Sequence, residues 1–295
     1  MRRIPVLLFA LVLLGCNPSS PPESESPEAA REQRASERLD AVLAARPQEF
    51  KARYQHRRPQ ETLQFFGIEP GMTVVEALPG YGWYSQLLVP YLGEDGRLIG
   101  ANYAQEMWPK FGIFEQPFID SMKTWTADWP KQAEAWKGED GATVDAFVFG
   151  SMPAELEGEA DAVLLIRALH NLARFEDEGG FLTTALDESF RVLKPGGIAG
   201  VVQHEARPDM PDEWAGGDKG YLKKQFVIDR MKEAGFELVD ESGINQNPKD
   251  QPTEDEFVWR LPPSYMTSQD NPELRAEMDA IGESNRMTLT FRKPD

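Results

Sequence analysis

The 295-residue sequence predicts an α/β fold built on a doubly wound, mostly parallel, seven-stranded sheet. Three observations predict it. From Pro59 onward, short apolar runs alternate with segments of helical period. The run at 161–166 is apolar at every position after Asp161, which suits a strand covered on both faces. The first strand ends on an acid and passes straight into a glycine-containing loop, the junction expected between a parallel strand and its crossover helix.

Each element can be justified in order. Pro59 suits the first turn of a helix, with Leu63, Phe65 and Phe66 as its apolar side before Gly67 ends it. The turn Glu69-Pro70-Gly71 leads into strand one at 72–77, a helix follows at 84–92, and strand two spans 97–101. Residues 105–137 carry Trp108, Trp125, Trp129 and Trp136. They read either as helices packing aromatic side chains or as a substrate wall. Strands three and four fall at 144–149 and 161–166, with a helix at 178–193. Lys194-Pro195-Gly196-Gly197 breaks that helix and feeds strand five at 198–203. A helix at 223–234, strand six at 236–239 and strand seven at 287–291 complete the pattern. The loop 212–220 and the excursion 245–283 are expected to shape specificity.

The informative segment runs Val74-Val75-Glu76-Ala77-Leu78-Pro79-Gly80-Tyr81-Gly82-Trp83-Tyr84-Ser85. Glycines at such a strand-to-helix turn let the backbone approach a nucleotide-like ligand with no Cβ in the way. His170 and His204 fall just past strands four and five, where both can edge one pocket and move a proton near neutral pH. A hydrogen-bonded structural histidine is the alternative for each. Arg167, at the end of strand four, suits a carboxylate or another acidic group, with a structural ion pair as its alternative. His56-Arg57-Arg58 reads as a solvated, partly ion-paired turn, or as part of a lid. No ligand spacing supports a metal, and no Gly-x-Ser-x-Gly elbow, Walker loop or His-Glu-x-x-His motif is present.

The chain resembles class I S-adenosylmethionine-dependent methyltransferases. The resemblance lies in the Glu-x-x-x-Gly-x-Gly loop from Glu76 to Gly82, in Leu193-Lys194-Pro195-Gly196-Gly197, and in the Ala234-Gly235-Phe236 turn with the last two strands. It covers roughly residues 55 to 295. More narrowly the chain is similar to a group of often exported methyltransferases. The matching stretches are Pro59 to Gly67, Pro79-Gly80-Tyr81-Gly82-Trp83-Tyr84, Arg167-Ala168-Leu169-His170-Asn171, Val258-Trp259-Arg260-Leu261-Pro262-Pro263 and Ala280 to Leu289. The resemblance implies a Rossmann-like methyltransferase fold and S-adenosylmethionine as cofactor. It places Glu76, Gly80, Gly82, Asn102 and Met152 around that cofactor, and His170, His204 and Arg167 toward a small-molecule acceptor. Two departures stand out: the family prefers glycine at the position of Leu78, and an acid rather than Asn102 for the ribose hydroxyls. An amide can accept from one hydroxyl and donate to another oxygen. A catalytically inactive, methyltransferase-like lipoprotein that binds a small molecule or an envelope partner is the second reading. A nicotinamide oxidoreductase would expect a third glycine where Ser85 stands.

At the amino end, Met1-Arg2-Arg3 and an apolar stretch to Leu14 read as a secretory signal, too short to span a bilayer. Leu13-Leu14-Gly15-Cys16 resembles the lipobox of bacterial lipoproteins. This implies lipid attachment at Cys16 and a periplasm-facing protein, with Asn17 favouring the outer membrane. Cys16 is the sole cysteine, so no disulfide, thiolate nucleophile or cysteine metal site is expected. Residues 16–45 are expected to form a lipidated flexible tether and 46–295 the folded domain, about 250 residues and enough for one substantial core. The net charge of −18, two units more negative once residues 1–15 are removed, argues against nucleic acid or an anionic bilayer as the main partner.

Overall fold

The structure, a computed structural model, describes residues 26–295. The signal segment, Cys16 and the first part of the expected tether lie outside the described residues. In chain order the helices are α1 (Pro27–Ala44), α2 (Gln48–Lys51), α3 (Tyr54–Arg57), α4 (Pro59–Phe65), α5 (Ser85–Leu92), α6 (Gln116–Ser121), α7 (Trp125–Lys137), α8 (Leu169–Arg174), α9 (Phe181–Val192), α10 (Lys224–Glu233) and α11 (Pro272–Ile281). The strands are β1 (Thr73–Ala77), β2 (Arg97–Asn102), β3 (Thr143–Val148), β4 (Ala160–Ile166), β5 (Leu193–His204), β6 (Glu237–Ser242) and β7 (Arg286–Arg292).

The seven strands form one sheet in the order β3-β2-β1-β4-β5-β7-β6. Pairing is parallel from β3 to β5, and β7 inserts antiparallel between β5 and β6. Successive residues of one strand feed opposite faces, as the pleat requires. Val75, Val163 and Leu165 meet α8, α9 and α10 in one core, while Val74, Ala162 and Leu164 meet α1, α4, α5 and α7 in the other. The order reverses between β1 and β4, since β2 lies to one side of β1 and β5 to the far side of β4. Ligands of open α/β sheets bind outside the carboxyl ends of the strands at such a point.

Three expectations need correction. Residues 27–44 are not a tether but helix α1, which ordinary helix physics supports. Ser26 caps it by accepting from the Ala29 amide at 3.1 Å, Pro27 opens the first turn, and Ala35, Leu39, Val42 and Leu43 form a buried stripe. Polar residues fill most of the other positions, so the bulk composition hid that stripe. The domain therefore begins before residue 46. Arg38 within α1 and Arg46 just after it serve α5. Pro90 has no amide hydrogen, which leaves the Gln86 carbonyl without its helical donor, and Arg46 supplies one at 3.1 Å. Arg38 in turn donates to the Pro90 carbonyl at 2.9 Å.

The helix expected at 178–193 starts only at Phe181, because Glu178 and Gly179 close a tight turn and Gly180 is left-handed. Lys194 to Gly197, expected as a break, already belongs to β5. The ambiguous stretch 105–137 is largely helical, and Trp125 and Trp129 are buried in the core as packing residues.

Because Leu39 is wholly buried, Leu39→Ala should lower the unfolding free energy by about 2–5 kcal/mol in denaturant titrations. A mobile tether would show no change.

Candidate functional site

A cleft of about 790 Å³ opens at the β1/β4 switch point. Its floor is the loop after β1, where Leu78, Gly80 and Gly82 all have left-handed backbones. Gly80 (φ 56°) and Gly82 (φ 74°) adopt this at little cost. Leu78 (φ 53°) does so at a strain of order 1–3 kcal/mol, in a conformation that glycine would take freely. Its amide is tied to the Ala101 carbonyl at 2.7 Å, and its side chain lines the cleft. Tyr81, 99% exposed, stands at the rim.

The opposite wall comes from the ends of β4 and β5. Arg167 also has a left-handed backbone, held by its amide bond to the Val202 carbonyl at 2.6 Å, and it turns the chain so that α8 begins beside the cleft. His170 and His204 line the same cleft with ring centroids 5.3 Å apart. Gln203 donates from Nε2 to the Gly220 carbonyl at 3.1 Å, so its oxygen faces His170 Nδ1 at 3.3 Å. That assigns the His170 proton to Nδ1 and leaves Nε2 as a lone pair. His204 Nδ1 lies 2.5 Å from the Ser284 hydroxyl. Burial pushes the His170 pKa down to about 4, and burial followed by the His170 and Arg167 charges pushes His204 well below its ordinary value. Both rings are neutral at pH 7.

A third wall joins the chain's two ends. Glu283, preceding β7, is buried and ion-paired to Arg53, to Arg57 (Nε to Oε1 3.0 Å) and to Arg286 (3.4 Å). Arg57 also lies over the Trp83 ring, 4.5 Å from its centroid. Burial opposes ionisation of Glu283, but Arg286, Arg57, Arg167 and Arg53 overcome it and hold the carboxyl at about 2. Burial, and then Arg167, lower Arg57 to about 10, which leaves it charged at neutral pH. The segment around Val258, Trp259 and Leu261 closes the top. Gly217 lets the loop 212–220 pack under it, since a Cβ there would come within 2.1 Å of the His170 carbonyl oxygen.

No protein-family model matches the chain. A curated arsenite methyltransferase from Halobacterium salinarum is 27% identical over 202 residues, a match that spans 66% of this chain but only 44% of that protein. Among solved structures, the cyclase SpnF is similar with a TM-score of 0.50 and 17% identity, covering 81% of each chain. A SAM-dependent methyltransferase from Aquifex aeolicus is similar with a TM-score of 0.46 and 17% identity, over 70% of this chain and 93% of that one.

The fold is the Rossmann-like methyltransferase fold. Within this methyltransferase fold the three residues expected toward a substrate, Arg167, His170 and His204, do come together in one cleft. Of the five expected around a cofactor, only Gly80 lines it. Gly82 instead faces α7: a Cβ would come within 2.3 Å of the Trp136 ring, so the missing side chain serves loop-to-helix packing. Glu76 is buried below the loop, accepting from the Ser85 hydroxyl at 2.6 Å, and so pins the start of α5. Asn102 turns its oxygen back to the Tyr103 amide at 2.8 Å, and the Met152 amide donates to Glu188 at 3.2 Å. Neither opens to the cleft, which ends on this side at Asn171, whose amide donates to the Tyr103 hydroxyl at 2.8 Å.

Sequence reasoning missed Arg53, Arg57, Glu283, Ser284 and Trp259. Arg57 was expected on a solvated, partly ion-paired turn or in a lid; it is 5% exposed, enclosed by Trp83 and Glu283, and lines the cleft wall. The available signal was the specific motifs around Trp259 and Glu283, which carried a resemblance but no physical role.

Burial raises the Glu76 pKa to about 7 against the opposing Ser85 hydrogen bonds. Because the folded value exceeds the unfolded one, its stabilising contribution is complete below about pH 4.5 and lost as the pH rises through about 7. His170 has the opposite sign and costs stability as the pH falls from 6.5 toward 4. Glu76→Gln isolates the carboxyl. Between pH 5 and 8 its stability relative to the unmodified protein should rise by about 2–3 kcal/mol, read by denaturant unfolding at both pH values.

Proposed function

We propose that the protein is an S-adenosylmethionine-dependent methyltransferase acting on a small-molecule acceptor. One observation carries the reading: a loop with left-handed backbone at Leu78 and Gly80 faces Arg167, whose guanidinium has no partner among the described residues, across a cleft at the switch point of this fold. The donor set suits the methionine end of the cofactor through backbone approach at Gly80, and leaves Arg167, across the cleft, for the acceptor. Bound there, the cofactor would supply a methyl group activated on a sulfonium. The chain's own work is then alignment, with a lone pair on His170 available where the acceptor has a proton to lose. A histidine held near pKa 4 is a weak base, so positioning carries more of the rate than proton transfer does.

The acceptor differs from that named for the Halobacterium protein. Trivalent arsenic is a soft centre held by thiolates, whereas this chain has one cysteine. For the nucleotide end the resemblance offers Asn102 and Met152.

Calorimetric titration of residues 17–295 with S-adenosylmethionine and S-adenosylhomocysteine should show micromolar binding. Gly80→Arg, which fills the cleft at a solvent-facing loop, should abolish it while circular dichroism stays unchanged. A folded protein that binds neither compound would end the enzyme reading in favour of a binding module.

From the amino-terminal signal and lipobox we further propose that the domain lies in the cell envelope, facing the periplasm and anchored through Cys16, with the outer membrane favoured by Asn17. Two or more acyl chains would hold it stably, at about 0.8 kcal/mol per buried CH₂. Expressed from its full sequence in a bacterial host, the protein should incorporate labelled palmitate and partition with membranes. Cys16→Ser should lose both properties; equal labelling of that variant would rule out the anchor.

A further inference from the structure

The cleft carries more positive charge than the methyltransferase reading requires. Arg53, Arg57, Arg167 and Arg286 gather around the single carboxylate of Glu283. Glu49 is exposed at the rim, and Glu76 sits below the floor engaged with Ser85. The two cleft histidines are neutral and offset nothing.

The guanidiniums are not equally engaged. Arg53 gives two nitrogens to Glu283, and Arg286 contacts Glu283 and the His56 carbonyl. Arg57 gives only Nε, so its two terminal nitrogens have no hydrogen-bond partner among the described residues. The Arg167 guanidinium has none either, and its Nε is buried as well as unpartnered. The buried, unpartnered Nε of Arg167 carries a free-energy cost, and the terminal nitrogens of both residues are left for a ligand. Both residues line the cleft. Planar guanidinium forks match carboxylate and phosphate oxygens in bidentate, charge-assisted hydrogen bonds.

S-adenosylmethionine does not neutralise this excess. Its sulfonium and ammonium outnumber its carboxylate, so the cofactor brings a net positive charge into an already positive site. We propose that Arg167 and the free nitrogens of Arg57 form an anion subsite that takes the carboxylate or phosphate of the methyl acceptor. The acceptor is then a small anion whose binding raises the affinity for the cofactor, and by linkage the converse. The word acceptor rests on the methyltransferase reading; the anion subsite does not.

The test uses inorganic phosphate and malonate as probes, with choline as a cationic control, at constant ionic strength. Calorimetry and thermal unfolding should show both anions binding with a dissociation constant on the order of 1 mM, and choline not binding. Arg167→Gln should weaken binding roughly tenfold or more, and Arg167→Lys should recover part of it. Arg191→Gln, remote from the cleft and paired with Glu157, should leave it unchanged. S-adenosylmethionine, which carries the sulfonium, should bind more tightly when malonate or phosphate is present. Absence of anion binding, or equal binding by Arg167→Gln in a folded protein, overturns the subsite. Anion binding without any cofactor binding upholds the subsite and overturns the methyltransferase reading. Competition between anion and cofactor assigns Arg167 to the cofactor's own carboxylate and overturns the acceptor proposal.

Discussion

A single carboxylate, that of Glu283, holds guanidinium groups from α3, from the residue just before it and from the first residue of β7. Burying one ion pair seldom adds stability on balance, but removing one partner from a buried cluster is severe. Without the carboxylate, Arg57 and Arg286 would face each other and Arg167 across a poorly hydrated space, each disfavouring the others' charge. The position of α3, the stacking of Arg57 on Trp83 and the third wall of the cleft all follow from this contact. Glu283 thus sets the shape of the site while taking up only part of its charge.

The same field explains why the histidines are neutral. Burial alone would lower them, and Arg167 adds repulsion against a proton on either ring. Glu76 lies close enough to feel Arg167 as well, yet burial prevails and its pKa rises. One charged side chain therefore acts on two kinds of neighbour with different results. Depth decides the carboxyl, and charge reinforces depth at the histidines.

Much of the sheet was legible in the sequence, because a buried parallel strand must be apolar on both faces and the run at 161–166 says so plainly. The strand ends were legible for the same reason, and Arg167, His170 and His204 followed from them. What escaped notice was everything fixed by pairing across long separations. Arg53 and Glu283 are 230 positions apart, and no local pattern links them. Glycines misled in their own way. Gly82 has the backbone a cofactor loop needs, but the space beside it belongs to Trp136, which only the packing of α7 reveals. Helix α1 was missed because four buried side chains among charged ones do not change a composition.

The wide separation of Arg53 and Arg57 from Glu283 and Arg286 also bears on how the chain matures. Contacts between residues more than 220 positions apart close slowly, after local structure has formed. Arg53 and Arg57 emerge first and wait for a counter-ion encoded just before β7. Until that strand inserts between β5 and β6, the cleft lacks both its wall and its balancing negative charge. A chain shortened by its final few dozen residues would keep much of the parallel sheet yet present an open, highly cationic hollow. Completion of the site is thereby coupled to the insertion of β7 between β5 and β6.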